Sequence, residues 1–81
     1  MNVTVKFFAI ARDITGTPEL TLEVPAGMAA SELLDALESK YPGFGTWKSF
    51  VRVAVNREYV SNERILSAGD EIAIIPPVSG G

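Results

Sequence analysis

Segments in which apolar and polar residues alternate run through much of the chain, and this period of two is typical of half-buried β-strands. The predicted strands cover residues 3–8, 19–24, 51–55, 59–60 and 71–75. Their inward side chains include Val3, Val5, Phe7, Leu20, Leu22, Val24, Ile72 and Ile74. Residues 9–18 contain Gly16 and Pro18 and are predicted to be the loop of a hairpin between the first two strands.

Between residues 30 and 41 the apolar side chains recur instead at the spacing of one helical face. Pro42-Gly43 ends this predicted helix. Because Ala29 has no capping group, we expect Ser31 or Gly27 to cap the start of the helix. The apolar helical positions are Ala30, Leu33, Leu34, Leu37 and Tyr41.

A single helix must bury its apolar face against one face of the sheet, which predicts a two-layer α+β domain over residues 1–75. The order of the elements suits a β-grasp fold, in which the first and last strands lie side by side at the centre of a mixed sheet packed on one main helix. That pairing rests on fold analogy and not on periodicity.

The outer face of the predicted sheet carries apolar residues. If Phe7 and Ile74 point toward the helix, Phe8 and Ile75 point away from it, and we expect Tyr59 to join them. Isolated exposed apolar residues are ordinary, and the loop over residues 9–18 is an alternative cover for both Phe7 and Phe8. A cluster of all three would mark a surface for a partner protein, which is the hypothesis adopted here.

The composition excludes several kinds of chemistry. The 81 residues include no cysteine and no histidine, which removes disulfides, zinc sites of the Cys/His type, cysteine nucleophiles and imidazole catalysis. The net charge is −3 and the seven basic residues are dispersed, so we expect no nucleic-acid binding and a partner with a basic surface. Without a signal peptide or a membrane-spanning segment, the expected location is cytoplasmic.

The last six residues, 76–81, are predicted to form a flexible tail that ends in Gly80-Gly81. Pro76-Pro77 ends the last strand and favours a stiff polyproline conformation, and Val78 and Ser79 offer side-chain contacts before the glycines. Glycine has no Cβ, so the tail can enter a narrow slot on another protein. The terminal carboxylate is ionised at neutral pH and is a poor electrophile, so acyl chemistry at Gly81 requires outside activation, most simply by ATP.

The chain has no glycine-rich phosphate-binding motif of its own. We therefore expect it to be a carrier or a substrate, and not an enzyme in isolation.

Several motifs occur together along the whole chain: Val5-Lys6-Phe7-Phe8-Ala9, Arg12-Asp13, Glu32-Leu33-Leu34, Tyr41-Pro42, Ala54-Val55-Asn56, Gly69-Asp70-Glu71-Ile72 and the closing Pro76-Pro77-Val78-Ser79-Gly80-Gly81. In these motifs the sequence resembles the small subunit of molybdopterin synthase, a family of ubiquitin-like sulfur carriers.

The resemblance implies a ubiquitin-like β-grasp fold and a role in molybdenum cofactor biosynthesis. In that family an adenylyltransferase similar to ubiquitin-activating enzymes uses ATP to adenylate the residue that corresponds to Gly81, and a sulfurtransferase converts the adenylate to a thiocarboxylate. The tail then enters the large subunit, which supplies the catalytic groups, and sulfur passes to cyclic pyranopterin monophosphate. The synthase is a heterotetramer. Phe8, Tyr59 and Ile75 correspond to its partner contacts, and no bound cofactor is implied.

Three alternatives remain open on the sequence alone. The chain could carry sulfur for thiamin or another pathway, or be a ubiquitin-like modifier joined to lysines through Gly81. It could also be a binding module that uses only the outer face of the sheet.

Overall fold

A five-stranded mixed sheet forms one layer of the protein. The computed structural model describes residues 1–77, and its strands lie in the order β2-β1-β5-β3-β4. They are β1 (Asn2–Phe7), β2 (Glu19–Glu23), β3 (Arg52–Val55), β4 (Glu58–Val60) and β5 (Glu71–Ile75). β1 and β5 are parallel neighbours at the centre, and the other neighbouring pairs are antiparallel. The predicted adjacency of the first and last strands is confirmed.

The second layer is the main helix, α2 (Ala30–Lys40), numbered after a short helix α1 (Ile10–Thr15). α2 buries its apolar face against one side of the sheet. Burial of the predicted helical stripe is confirmed for Ala30, Leu33, Leu34 and Leu37. The strands contribute to the core the inward-facing Val3, Val5, Phe7, Val53, Val55, Ile72 and Ile74. Removing a leucine side chain from such a core costs about 2–5 kcal/mol. Within residues 1–77 no helix has the length and apolar character to cross a membrane.

The segment between β1 and β2 is not only a loop. It contains α1, a six-residue helix that buries Ala11. Gly16 ends this helix with a φ of 76°, a left-handed conformation that favours glycine, and its N–H donates to the Arg12 carbonyl over 2.8 Å. Six residues are too few to establish a helical period, which is why the sequence pattern missed the helix.

The expected cap of α2 is wrong. Neither Ser31 nor Gly27 caps the helix, because the N-cap position belongs to Ala29. The backbone N–H of Ala29 donates to Glu32 Oε1 over 2.9 Å. Two carbonyls of the loop before β5 accept hydrogen bonds from the backbone N–H groups of the next two residues, which have no partner within the helix. These backbone bonds run from Ala30 N to Arg64 O (2.9 Å) and from Ser31 N to Asn62 O (2.8 Å). Tertiary contacts therefore replace the capping side chain.

The segment after α2 folds back onto the helix. It begins with a 3-10 helix, Pro42–Thr46, whose Phe44 is fully buried in the core. Lys48 Nζ then lies 2.8 Å from both Asp35 Oδ1 and Glu38 Oε1. Hydrogen bonds to Asp35 and then Glu38 raise the pKa of Lys48 above the ordinary lysine value. These two ion pairs tie the segment to α2.

A polar link joins the end of β3 to the start of β5. Asp70, which is only 7% exposed, accepts hydrogen bonds from the Ser67 backbone N–H over 2.7 Å and from Asn56 Nδ2 over 3.0 Å. Asn56 Oδ1 in turn accepts from the Glu71 N–H over 3.0 Å. The Asn56 and Asp70 motifs noted in the sequence thus have a structural role, since a buried carboxylate requires such partners. The division into a domain over residues 1–75 and a tail stays a prediction.

Replacing Asp70 by asparagine will test this link. The amide has the size of the carboxylate, but its NH₂ group must face either the Ser67 N–H or Asn56 Nδ2, both of which are hydrogen-bond donors. We therefore expect the free energy of unfolding to fall by about 1–3 kcal/mol. Chemical denaturation measures it. Glu63→Gln, an exposed neutralisation in the same loop, is the matched control and should change stability by less than about 0.5 kcal/mol. Equal effects of the two substitutions would contradict the role given to Asp70.

Candidate partner-binding face

The carboxyl ends of β1 and β5 bring two of the predicted site residues together. Phe7 lies opposite Ile74 in the parallel register, so Phe8 and Ile75 follow at the same edge of the sheet. Phe7 is 2% exposed and Phe8 is 49% exposed. The loop therefore does not cover both aromatic rings, and the outward direction expected for Phe8 is confirmed.

Tyr59 reaches the same face from the short hairpin β3–β4. In the strand register Ala54 lies opposite both Tyr59 and Ala73, which places the small side chains between the larger ones. Phe8, Ala54, Tyr59, Ala73 and Ile75 form the apolar part of one open depression of about 370 Å³. All three predicted contact residues thus line one concavity, although their role in binding a partner stays a prediction.

Two further exposed apolar residues lie outside this depression. Phe50 is 62% exposed and precedes β3, and Ile65 is 53% exposed in the loop before β5. Ile65 bridges to Ala29 at the start of α2. Exposure alone does not distinguish Phe8 or Tyr59 from these residues, but convergence on one concavity does.

Charged side chains complete the depression. Lys6 Nζ lies 3.3 Å from Glu71 Oε2, and both side chains are more than a third exposed. An exposed ion pair of this kind contributes about 0–1 kcal/mol to stability. Its main effect is therefore on the charge of the depression and not on the stability of the fold. Arg57, in the turn after β3, lines the depression as well.

Arg52 and Tyr59 form a cation–π contact on this face. The guanidinium carbon lies 3.9 Å from the centre of the phenol ring, a contact that contributes about 0.5–1 kcal/mol between exposed side chains. Sequence reasoning named none of Lys6, Arg52, Arg57 and Glu71 as a site residue, although Lys6 and Glu71 lie within the motifs quoted above. Strand alternation could have placed Lys6, Arg52 and Glu71 on the outer face, whereas Arg57 lies in a turn that has no alternation.

The predicted tail begins at the edge of the depression. β5 ends at Ile75, so the predicted termination by Pro76-Pro77 is confirmed; Pro76 is buried and Pro77 is exposed. The remaining tail residues, Val78, Ser79, Gly80 and Gly81, lie outside the described part of the chain. Within that described part no three Asp or Glu side chains group in a way that could hold a metal ion.

Comparison with known proteins identifies a matching family and relatives that share one name. Residues 5–81 match the ThiS family. A molybdopterin synthase sulfur carrier subunit from Drosophila melanogaster is 48% identical, over 100% of this chain and 92% of the relative. The subunit of the same name from Arabidopsis thaliana is 43% identical, over 100% of this chain and 84% of the relative.

Solved structures agree on the fold. SAMP1 from Haloferax volcanii superimposes with a TM-score of 0.87 at 27% identity, with both chains fully covered. A chain in the complex of subunits 1 and 2 of the molybdopterin-converting factor from Helicobacter pylori gives a TM-score of 0.72 at 28% identity, again with full coverage of both chains. The fold is the ubiquitin-like β-grasp of these proteins, and the chain belongs to the ThiS family, with molybdopterin synthase sulfur carrier subunits among its relatives.

Proposed function

We propose that this protein is the sulfur carrier subunit of molybdopterin synthase and that sulfur is carried on the carboxyl group of Gly81. The observation that supports this most directly is the position of the apolar depression beside Ile75, at the point where the segment leading to Gly80-Gly81 leaves the sheet. A docking surface at the base of a tail lets a partner hold the domain while it receives the terminus. The full-length similarity to named sulfur carrier subunits supports the same function.

The proposed chemistry has three steps. First, the Gly81 carboxylate attacks the α-phosphorus of ATP and releases pyrophosphate, which makes an acyl-adenylate with a good leaving group. The outer sulfur of a persulfide donor then displaces AMP and forms an acyl disulfide with the Gly81 carbonyl. A thiol reduces the S–S bond of this intermediate, which leaves the C-terminal thiocarboxylate on the chain and a disulfide on the donor. Finally, its sulfur attacks a carbon of cyclic pyranopterin monophosphate in the large subunit and displaces an oxygen substituent of that carbon. Water then hydrolyses the resulting thioester, which leaves the sulfur on the substrate and returns the Gly81 carboxylate, and two such transfers form the dithiolene.

The chain's own residues contribute recognition and access. Phe8, Tyr59 and Ile75 supply apolar area for docking, and the lack of side chains at Gly80 and Gly81 lets the terminus approach reacting groups closely. Catalytic groups and the binding site for the substrate phosphate belong to the large subunit. In this proposal the protein binds no cofactor of its own.

Three protein partners follow from this chemistry. They are the large subunit, in a heterotetramer, an adenylyltransferase similar to ubiquitin-activating enzymes, and a sulfurtransferase. The complex of two molybdopterin-converting factor subunits from Helicobacter pylori supports the first of them. Because the activation step consumes ATP, we place the function in the cytoplasm.

A ubiquitin-like modifier is the second candidate. It is favoured by the similarity to the Haloferax volcanii small archaeal modifier protein 1, at a TM-score of 0.85 and 25% identity. The sulfur carrier subunits are more similar in sequence, at 39–48% identity. A carrier for thiamin synthesis would share the chemistry of Gly81 and differ only in the acceptor.

Adding one alanine after Gly81 will separate a carrier from a binding module. We expect molybdopterin formation to fall to background, because the activating enzyme and the large subunit must both reach a terminal glycine carboxylate. The assay combines the chain with its activating enzyme, ATP, a sulfur donor, the large subunit and cyclic pyranopterin monophosphate. The control carries the same alanine before Met1 and should stay active. Full activity of the C-terminal variant would rule out the carrier proposal, and Gly81–lysine isopeptide adducts in cells would favour the modifier.

Substituting Phe8 by glutamate will test the docking role of the depression. Phe8 is half exposed, so the domain should stay folded, while a charge against an apolar partner surface should weaken binding to the large subunit about thirtyfold or more. Binding is measured by calorimetry and folding by circular dichroism. Ile65→Glu, a similar change at an equally exposed residue outside the depression, should bind normally. If Phe8→Glu bound as well as Ile65→Glu, the depression would not be the docking surface.

A further inference from the structure

The outer face of the sheet is electrically asymmetric. Its β2 side carries Glu19 and Glu23, which lie opposite Lys6 and Asn2 in the strand register. At the other side β3 and the turn after it carry Arg52 and Arg57. We call Arg52, Arg57 and Tyr59 the arginine end of the face. The net charge of the protein is −3, but the arginine end is a cationic region at the edge of the depression.

Neither arginine forms an ion pair within the described part of the chain. The ion pairs among residues 1–77 join Lys6 to Glu71 and Lys48 to Asp35 and Glu38, so neither guanidinium has a carboxylate within 4.0 Å there. Lys6 is already paired with Glu71, which leaves Arg57 as the uncompensated charge lining the depression. This charge is available to a partner.

Arg52 already packs against a second residue of this face. Its guanidinium lies 3.9 Å from the centre of the Tyr59 ring, and both side chains are exposed. A contact of this kind is weak at an exposed site, but a side chain with fewer accessible conformations loses less entropy on binding. Arginine and tyrosine are also the residue types that most often dominate interface energies.

Arg57 occupies a position that the turn itself does not favour. Asn56 and Arg57 have φ values of 51° and 73°, which are typical of a two-residue hairpin turn whose second position prefers glycine. Arginine there is less favourable for the backbone than glycine. The identity of residue 57 therefore points to a use of its side chain.

We propose that the arginine end selects the large subunit by binding one or more carboxylate side chains on that subunit, beside the apolar contacts of the depression. This inference rests on the proposed function and names the chemistry of the partner surface. It replaces the expectation, drawn from net charge alone, that the partner surface is basic. Complementary charges at the edge of an apolar contact act mainly on the association rate and on specificity.

Charge reversal at Arg57 tests the proposal, with the large subunit from the same organism as the probe. Arg57→Glu should weaken binding about tenfold or more at low salt, mostly through slower association, and the difference should shrink as salt screens it. Arg57→Gly removes the charge and suits the turn, so it should fold at least as well and bind with intermediate affinity. The control, Arg64→Glu, makes the same charge change at an exposed site near the start of α2 and should bind nearly as wild type does.

The outcomes separate this inference from the proposed function. The wild-type chain could bind the large subunit while Arg57→Glu and Arg64→Glu bind it with equal affinity. That result would overturn the inference and leave the carrier proposal intact. Tighter binding by Arg57→Glu would show that the partner surface is basic and would also overturn the inference. No wild-type binding to a large subunit that binds a known small subunit would overturn both.

Discussion

Parallel hydrogen bonding between β1 and β5 sets the position of the tail and of two of the three predicted contact residues, Phe8 and Ile75. The register opposes Phe7 to Ile74, so the two strands end together. Phe8 and Ile75 therefore lie side by side, and the segment that leads to Gly81 leaves the domain next to them. A slip of one residue would turn the core side chains outward. Burial of the alternate residues against α2 thus stabilises the arrangement on the opposite face as well.

The two faces of the sheet follow different rules. The inner face is filled by aliphatic and aromatic side chains, because a small domain buries little surface and needs a fully apolar core to be stable. The outer face combines exposed aromatic rings, small side chains and charges that the core does not need. The arginine end lies on this face, so its charge is opposite in sign to the net charge of the chain. Association depends on the local surface, so the basic partner surface expected from net charge and the acidic contact proposed from the arginine end are opposite predictions.

Strand alternation and the helical period predicted the main elements because burial on one face imposes these periods directly. What they could not predict depends on contacts between distant segments. The cap of α2 combines the local carboxylate of Glu32 with carbonyls of residues 62 and 64, and no local motif reveals these two carbonyls. Phe44 is buried by a 3-10 helix too short to show a period, and α1 was missed for the same reason. At the candidate site alternation gave Phe8 and Ile75, but Arg57 lies in a turn, where its exposure depends on backbone geometry.

The central claim is that Gly81 carries sulfur, and intact-mass spectrometry tests it most directly. The chain would be incubated with ATP and a sulfur source in an extract of its own cells, beside a variant that lacks Gly81. The account predicts that the full chain gains the mass of one oxygen replaced by sulfur and that the variant gains none. An unchanged mass, in an extract shown to activate a known carrier, would contradict it.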